Sequence, residues 1–142
     1  MAAFSDYLEE LILNHLFRTG SWTKPTVLAF ALCTAAPTDT STGATITEVA
    51  DANGYARVTA NPLDATWSDP SAGTQGETDN VGDIDFGTAS GAWGTVTHFA
   101  LCDSATHGAG NLLIHGALTT SKAITNGDPV KFAAGEFNFS LD

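Results

Sequence analysis

Trp93-Gly-Thr-Val-Thr-His-Phe-Ala-Leu-Cys-Asp103, followed closely by Gly110-Asn-Leu-Leu-Ile-His-Gly-Ala-Leu-Thr-Thr120, decides the fold. Thr95 to Cys102 and Leu112 to Ala117 both read with period two, the code of half-buried strands. An antiparallel register with Phe99 opposite Ile114 and Leu101 opposite Leu112 gives one coherent apolar face. It places His98 directly opposite His115 on the other face.

The same code extends in both directions. Val27 to Cys33 puts Leu28, Phe30 and Leu32 on one face and small residues on the other. Its Phe30-Ala-Leu-Cys33 recurs as Phe99-Ala-Leu-Cys102, an echo that period-two strands produce easily. Pro37 to Gly43 is turn chemistry, and Asn53-Gly54 leads into a short strand, Tyr55 to Thr59. Leu63 to Gly82 is loop-rich, with Trp67 as its large anchor. Ile84 to Phe86, Val130 to Ala133 and Glu136 to Leu141 complete the set, separated by turns at Gly87–Gly91 and Asn126–Pro129. Six to eight short strands with regular turns predict an all-β, single-domain β-sandwich or β-barrel.

One N-terminal α-helix precedes the strands. Asp6 followed by Glu9 fits a helix start, with Ser5 as a competing cap. Tyr7, Leu8, Leu11, Ile12 and Leu16 are expected to bury a face against the sheet or a partner subunit. Phe17 joins the apolar set, while Glu9, Glu10 and Asn14 fall mostly on the other side. Arg18 lies near the negative end, and Gly20 is expected to stop the helix in the left-handed conformation. Residues 1–20 thus form a helical arm and 21–142 the β domain, within one structural domain overall.

Sixteen acidic residues against five basic ones give a net charge of −11 in 142 residues. Nucleic-acid affinity comes mainly from Lys and Arg. Arg18, Lys24, Arg57, Lys122 and Lys131 are scattered, so neither nucleic acid nor an anionic membrane is an expected partner. Apolar residues make up 43% and charged residues 15%, enough for a core and too little charge for a disordered chain. The stretch Leu8 to Phe17 is short of the roughly 18 apolar residues of a membrane span. With no basic start or small-residue cleavage site, the chain is expected to be made in a cytoplasm. Cys33 and Cys102 lie in apolar runs and read as two reduced core thiols.

No pattern carries catalysis, and the chain is expected not to be an enzyme. Gly87-Thr-Ala-Ser90-Gly91 has the wrong spacing for a nucleophile elbow. His15, His98, His107 and His115 match no zinc spacing; the His98/His115 pair reads as stacked or hydrogen-bonded. Asp79 to Asp85 is oxygen-rich but does not follow the alternation of a calcium loop. No Gly-rich phosphate loop is present. No cofactor, metal site or catalytic residue is expected.

The two opening stretches, with Gly127-Asp128 through Phe132-Ala-Ala-Gly135 and the terminal Phe137-Asn-Phe-Ser-Leu-Asp142, resemble a family of small tailed-bacteriophage proteins. These are often labelled tail-fibre proteins and are also seen as capsid cement or decoration proteins. The N-terminal half is similar too, in its helix, in Cys33-Thr-Ala-Ala-Pro37 and in Gly54-Tyr-Ala-Arg57. Asp64 to Asp83 stands outside the resemblance as an expanded loop. The resemblance implies a structural virion protein, exposed on the particle, with the major capsid protein or other virion proteins as partners. A decoration protein on the head is the first expectation, because an acidic domain is repelled by packaged DNA and no long repeat or coiled coil gives the reach of a fibre. A tail subunit at the baseplate, tip or fibre base is the second. The third is a sugar-binding module, with Trp22, Trp67, Trp93, Tyr7 and Tyr55 as stacking residues. Uncapped sheet edges and low charge density point to a homo-oligomer, a trimer for preference. Tyr7, Leu11, Arg18, Arg57 and Trp67 are the candidate interaction residues.

Overall fold

Two strands that are apolar on both faces can only lie at the centre of a covered sheet. Both copies of Phe-Ala-Leu-Cys do so. The structure, a computed structural model, describes residues 2–73 and 76–141. Thr74 and Gln75 of the expected 63–82 loop, and the terminal Met1 and Asp142, lie outside the described residues.

One sheet of five antiparallel strands has the order β1-β7-β6-β2-β3. These are β1 (Ala2–Phe4), β2 (Ala29–Cys33), β3 (Val58–Thr59), β6 (Gly94–Cys102) and β7 (Leu112–Ile124). Two ribbons accompany it: β4 (Glu77–Asp79) with β9 (Asn138–Ser140), and β5 (Ile84–Thr88) with β8 (Pro129–Phe132). The fold is an all-β sandwich with no closed barrel, and helix α1 (Asp6–Phe17) precedes all but the first strand.

The sequence echo is a packing motif. β2 and β6 are neighbours, with Phe30 opposite Leu101, Ala31 opposite Ala100 and Leu32 opposite Phe99. Each Phe therefore meets a Leu on the face that packs against the ribbons. There Phe30 stacks on Phe137 at 4.2 Å between ring centroids, and Phe99 meets Phe137 edge-on at 5.0 Å. On the opposite face Ala31, Cys33, Ala100 and Cys102 gather with Ile46 and Leu112 in a second buried cluster.

The β6–β7 register differs from the expected one by two residues. Phe99 lies opposite Gly116 and Leu101 opposite Ile114. A shift of two keeps the same faces inward, so apolar alternation cannot distinguish the two pairings. The local fit does: a Cβ on residue 116 would sit 2.8 Å from the Phe99 ring, so the ring covers a bare glycine. A bulge between Leu101 and Cys102 then shifts the pairing by one residue, so that Cys102 lies opposite Leu112. It is closed by the Asp103 carboxylate, which accepts from the Asn111 backbone N–H at 2.6 Å and from its amide at 2.8 Å. His98 consequently faces Ala117, and His115 faces Ala100.

The helix also departs from expectation in three ways. Ser5, not Asp6, is its N-cap: the backbone there is extended, and Ser5 Oγ accepts from the Leu8 N–H. Ser5 is buried because its hydroxyl also donates to the Leu112 carbonyl of β7. At the other end the chain turns extended at Arg18, and Gly20 does not take the left-handed conformation. Of the expected buried face, Leu8 is buried and Leu11 and Ile12 half-buried, whereas Tyr7 and Leu16 are exposed.

Cys33 lies opposite His98 and Cys102 opposite Ala29, so the two thiols occupy opposite ends of the strand pair and remain free. Burial pushes Cys33 up to about 12, with the Glu48 charge adding to it, and pushes Cys102 up to about 11. The thiolate is the reactive form. At pH 8 a disulfide reagent such as DTNB is therefore expected to titrate neither cysteine in the native protein and both in guanidinium chloride. Stoichiometric labelling of the native state would show that the small-residue face opens.

Candidate functional site: a buried arginine clamp and an apolar groove

The densest polar constellation lies where loops cover the small-residue face. Arg57 immediately precedes β3, which forms only the Val58–Thr59 end of the expected Tyr55–Thr59 strand, and its side chain is fully enclosed. All five guanidinium donors are used. Nε and Nη2 donate to the two Glu48 carboxylate oxygens at 2.9 and 2.7 Å, a bidentate pair. Nη2 also donates to the Gly43 carbonyl at 3.0 Å. Nη1 donates to the carbonyls of Ser104 and Ala109 at 2.9 and 2.8 Å.

Neighbouring groups complete the network. Tyr55 Oη donates to Glu48 Oε1 and accepts from the backbone N–H of Leu32, in the middle of β2. Burial, then the Glu48 charge, pushes the Tyr55 phenol far above its ordinary range. Burial pulls Arg57 the other way, but the Glu48 hydrogen bonds and charge outweigh it and hold the guanidinium above its usual value. His107 Nε2 lies 2.9 Å from the Val49 carbonyl. Gly43 allows the loops to close: a Cβ there would lie 2.1 Å from the Ala109 carbonyl oxygen.

Arg57 was expected at a contact with another subunit, and its placement corrects that reading. Its donors are spent on its own chain, where they tie the 43–48 segment to the β6–β7 loop. The signal available in the sequence was Glu48 nine residues before Arg57 with glycines at 43 and 110, none of which is a recognised motif.

The other candidates are dispersed. Tyr7 and Arg18 are exposed on α1, at opposite ends of the helix, and Leu11 is half-buried. Trp67 is half-buried and its indole N–H is taken by the Ala60 carbonyl at 3.0 Å. The five-residue aromatic platform is not assembled, since Trp93 and Tyr55 are in the core, packed edge-to-face at 5.3 Å. In the 79–85 loop Asn80 is buried and bonds to Gly82, Ala133 and Phe137. Asp83 pairs with Lys131 at 2.8 Å, and Asp85 accepts from the Gly87 N–H. Thr78 and Asp79 are half-buried in β4, so this stretch is partly built into the sandwich.

Trp67 instead lines a groove of about 750 Å³ at one end of the sandwich, together with Phe4, Leu28, Leu63, Ile114 and Phe139. These residues come from both layers. Asp64, Asp69 and Glu77 also border it. Apolar walls beside a few carboxylates suit an apolar side chain accompanied by a cation. No residue of α1 contributes to this groove.

The family model of the podophage GP4 fiber I protein gp80 matches residues 3–140, so the chain belongs to that family. It is a structural protein of a phage virion. The match runs through 64–83 and so includes the stretch that stood outside the resemblance. No curated protein sequence matches the chain.

Replacing Arg57 with Met leaves the buried Glu48 carboxylate without its counter-charge, an omission that typically costs about 3–5 kcal/mol. Urea unfolding should show a loss of that order, and less of one in Arg57→Met/Glu48→Leu. Equal stability of wild type and Arg57→Met would show that the clamp is not needed.

A second expectation concerns His98. Burial, then the nearby His115, holds its pKa below the ordinary 6.5. The unfolded chain therefore takes up this proton first on acidification, and stability is lost as pH falls from about 6.5 toward the depressed native value. Thermal midpoints between pH 7.5 and 5 should fall less steeply in His98→Gln than in the wild type. Parallel curves would refute the assignment.

Proposed function

We propose that the protein is a homo-oligomeric decoration subunit, a trimer for preference, that binds the outside of the phage head and stabilises the shell without doing chemistry. The observation that carries this reading is the form of the domain. It is a short sandwich with a rigid, clamped loop end, and its longest elements are a 12-residue helix and a 13-residue strand. Neither resembles a shaft. The net charge of −11 favours a place away from packaged DNA. Many equivalent weak contacts from a symmetric oligomer give strong avidity without one tight site.

The name of the family favours a second reading, in which the chain is a fibre component, for instance a base subunit of a tail fibre. Gold-labelled antibody on intact particles separates the two. Label over the head, with mutant particles lacking the protein releasing DNA at a lower temperature, is the expected result. Label confined to the tail, with unchanged head stability, would overturn the decoration reading in favour of the fibre.

A further inference from the structure

Helix α1 is apolar on two sides. Leu8, Leu11 and Ile12 turn toward β7, its main packing partner. Leu13, Leu16 and Phe17 form a second stripe at i, i+3 and i+4 in the last turns, and they are 56%, 66% and 78% exposed. A helix apolar on more than one side is normally covered on more than one side. Among the described residues nothing buries the second stripe, and Arg18 follows it directly.

The groove at the sandwich end has the complementary character. Its floor is Phe4, Leu28, Trp67, Ile114 and Phe139, and Leu63 stands 59% exposed at its side. Asp64, Asp69 and Glu77 border it, and none forms an ion pair among the described residues. Lys24, hydrogen-bonded to the Pro62 carbonyl at 3.4 Å, is the cation already nearby. The chain has only five Lys and Arg, so the placement of Arg18 beside the one exposed apolar helical stripe is informative.

We propose that the Leu13–Leu16–Phe17 stripe of one copy docks into this groove of a second copy, with Arg18 facing the acidic border. Stripe and groove are different surfaces, so the contact is heterologous, and repeated around a threefold axis it closes a ring. Two other occupants fit the groove less well. A glycan is disfavoured because polar groups of the lining are already engaged: the indole N–H donates to the Ala60 carbonyl, the Thr78 hydroxyl donates to the Ser68 carbonyl, and the Ser68 hydroxyl accepts from the Asp79 N–H. A nucleic acid is disfavoured by the carboxylates. The inference deepens the self-association in the proposed function and names the joint that makes it.

Sedimentation velocity of the full chain tests it. Wild type should be oligomeric. Phe17→Asp (stripe lost) and Leu63→Asp (groove lost) should each weaken association by about tenfold to a hundredfold. Both sites are exposed, so the near-UV spectrum of the tryptophans should be unchanged; Leu63→Ser replaces Leu63→Asp if it is not. The deciding sample is the equimolar mixture of the two variants at a concentration where each alone is monomeric. One intact stripe then meets one intact groove, and a one-to-one dimer should form. A mixture that stays monomeric overturns the joint. A wild-type oligomer untouched by either substitution overturns the joint and leaves self-association standing. A monomeric wild type at high concentration overturns both.

Discussion

The ion pair between Arg57 and Glu48 is the constraint on which the covered sheet depends. β2 and β6 present Ala29, Ala31, Cys33, Ala100 and Cys102 on one face, with His98 as its one large side chain. Such a face is too small-chained to anchor a second sheet, yet both strands are buried there. Loop backbone covers it instead. A loop brings carbonyls into a dry place, and each needs a donor. The guanidinium supplies donors to the Gly43, Ser104 and Ala109 carbonyls while its charge is matched by Glu48. Tyr55 links the same carboxylate to the Leu32 N–H, so the clamp holds the central strand as well as the loops. A buried pair of this kind is a weak source of net stability against an apolar substitute. What it contributes is a set of directed hydrogen bonds that joins three chain segments.

The strands were legible wherever alternation was strong. Thr95–Cys102, Val27–Cys33 and the Phe137-x-Phe139 pattern all lie in or beside strands whose large side chains meet in one aromatic core. Several things were not legible, each for a physical reason. β4 lies inside the expected 63–82 loop, and β7 runs to Ile124, past the expected end at Ala117, because neither stretch alternates apolar and polar residues. β1 pairs Ala2–Phe4 with β7, and three residues carry too little periodicity to read. The two-residue register shift preserves every inward side chain, so only the Phe99–Gly116 contact and the bulge at Leu101/Cys102 select it. The clamp joins residues up to 52 positions apart through backbone carbonyls, which leave no mark in residue type. Of the candidate interaction residues, Trp67 lines the groove, Arg18 is free at the helix end, and Arg57 is internal; a lone arginine in sequence carries no sign of which it will be.

The open edges of the five-stranded sheet are poorly suited to pairing with another chain. β3, one edge, is two residues long, and the β1 edge is three. β1 covers β7 only at residues 114–116, so the far half of β7 is uncovered on that side. That half runs Leu118-Thr-Thr-Ser-Lys-Ala-Ile124, and its exposed positions include Thr119, Thr120, Ser121 and Lys122. Short edges, hydroxyl side chains and a lysine in the middle are how edges are kept from pairing with other chains. The fold therefore disfavours edge-to-edge contact, and its unsatisfied apolar surface lies elsewhere, on the last turns of α1 and in the groove at the sandwich end. Helix α1 is tied to the rest of the domain at its first turn, through Ser5 to β7 and through Asp6 to the Asp39 carbonyl, while its last turn is tied only to the chain just after it, where His15 accepts from the Trp22 N–H. A helix fixed at its first turn and apolar along its last turns leaves that stripe on the surface, which is the geometry the proposed joint between copies uses.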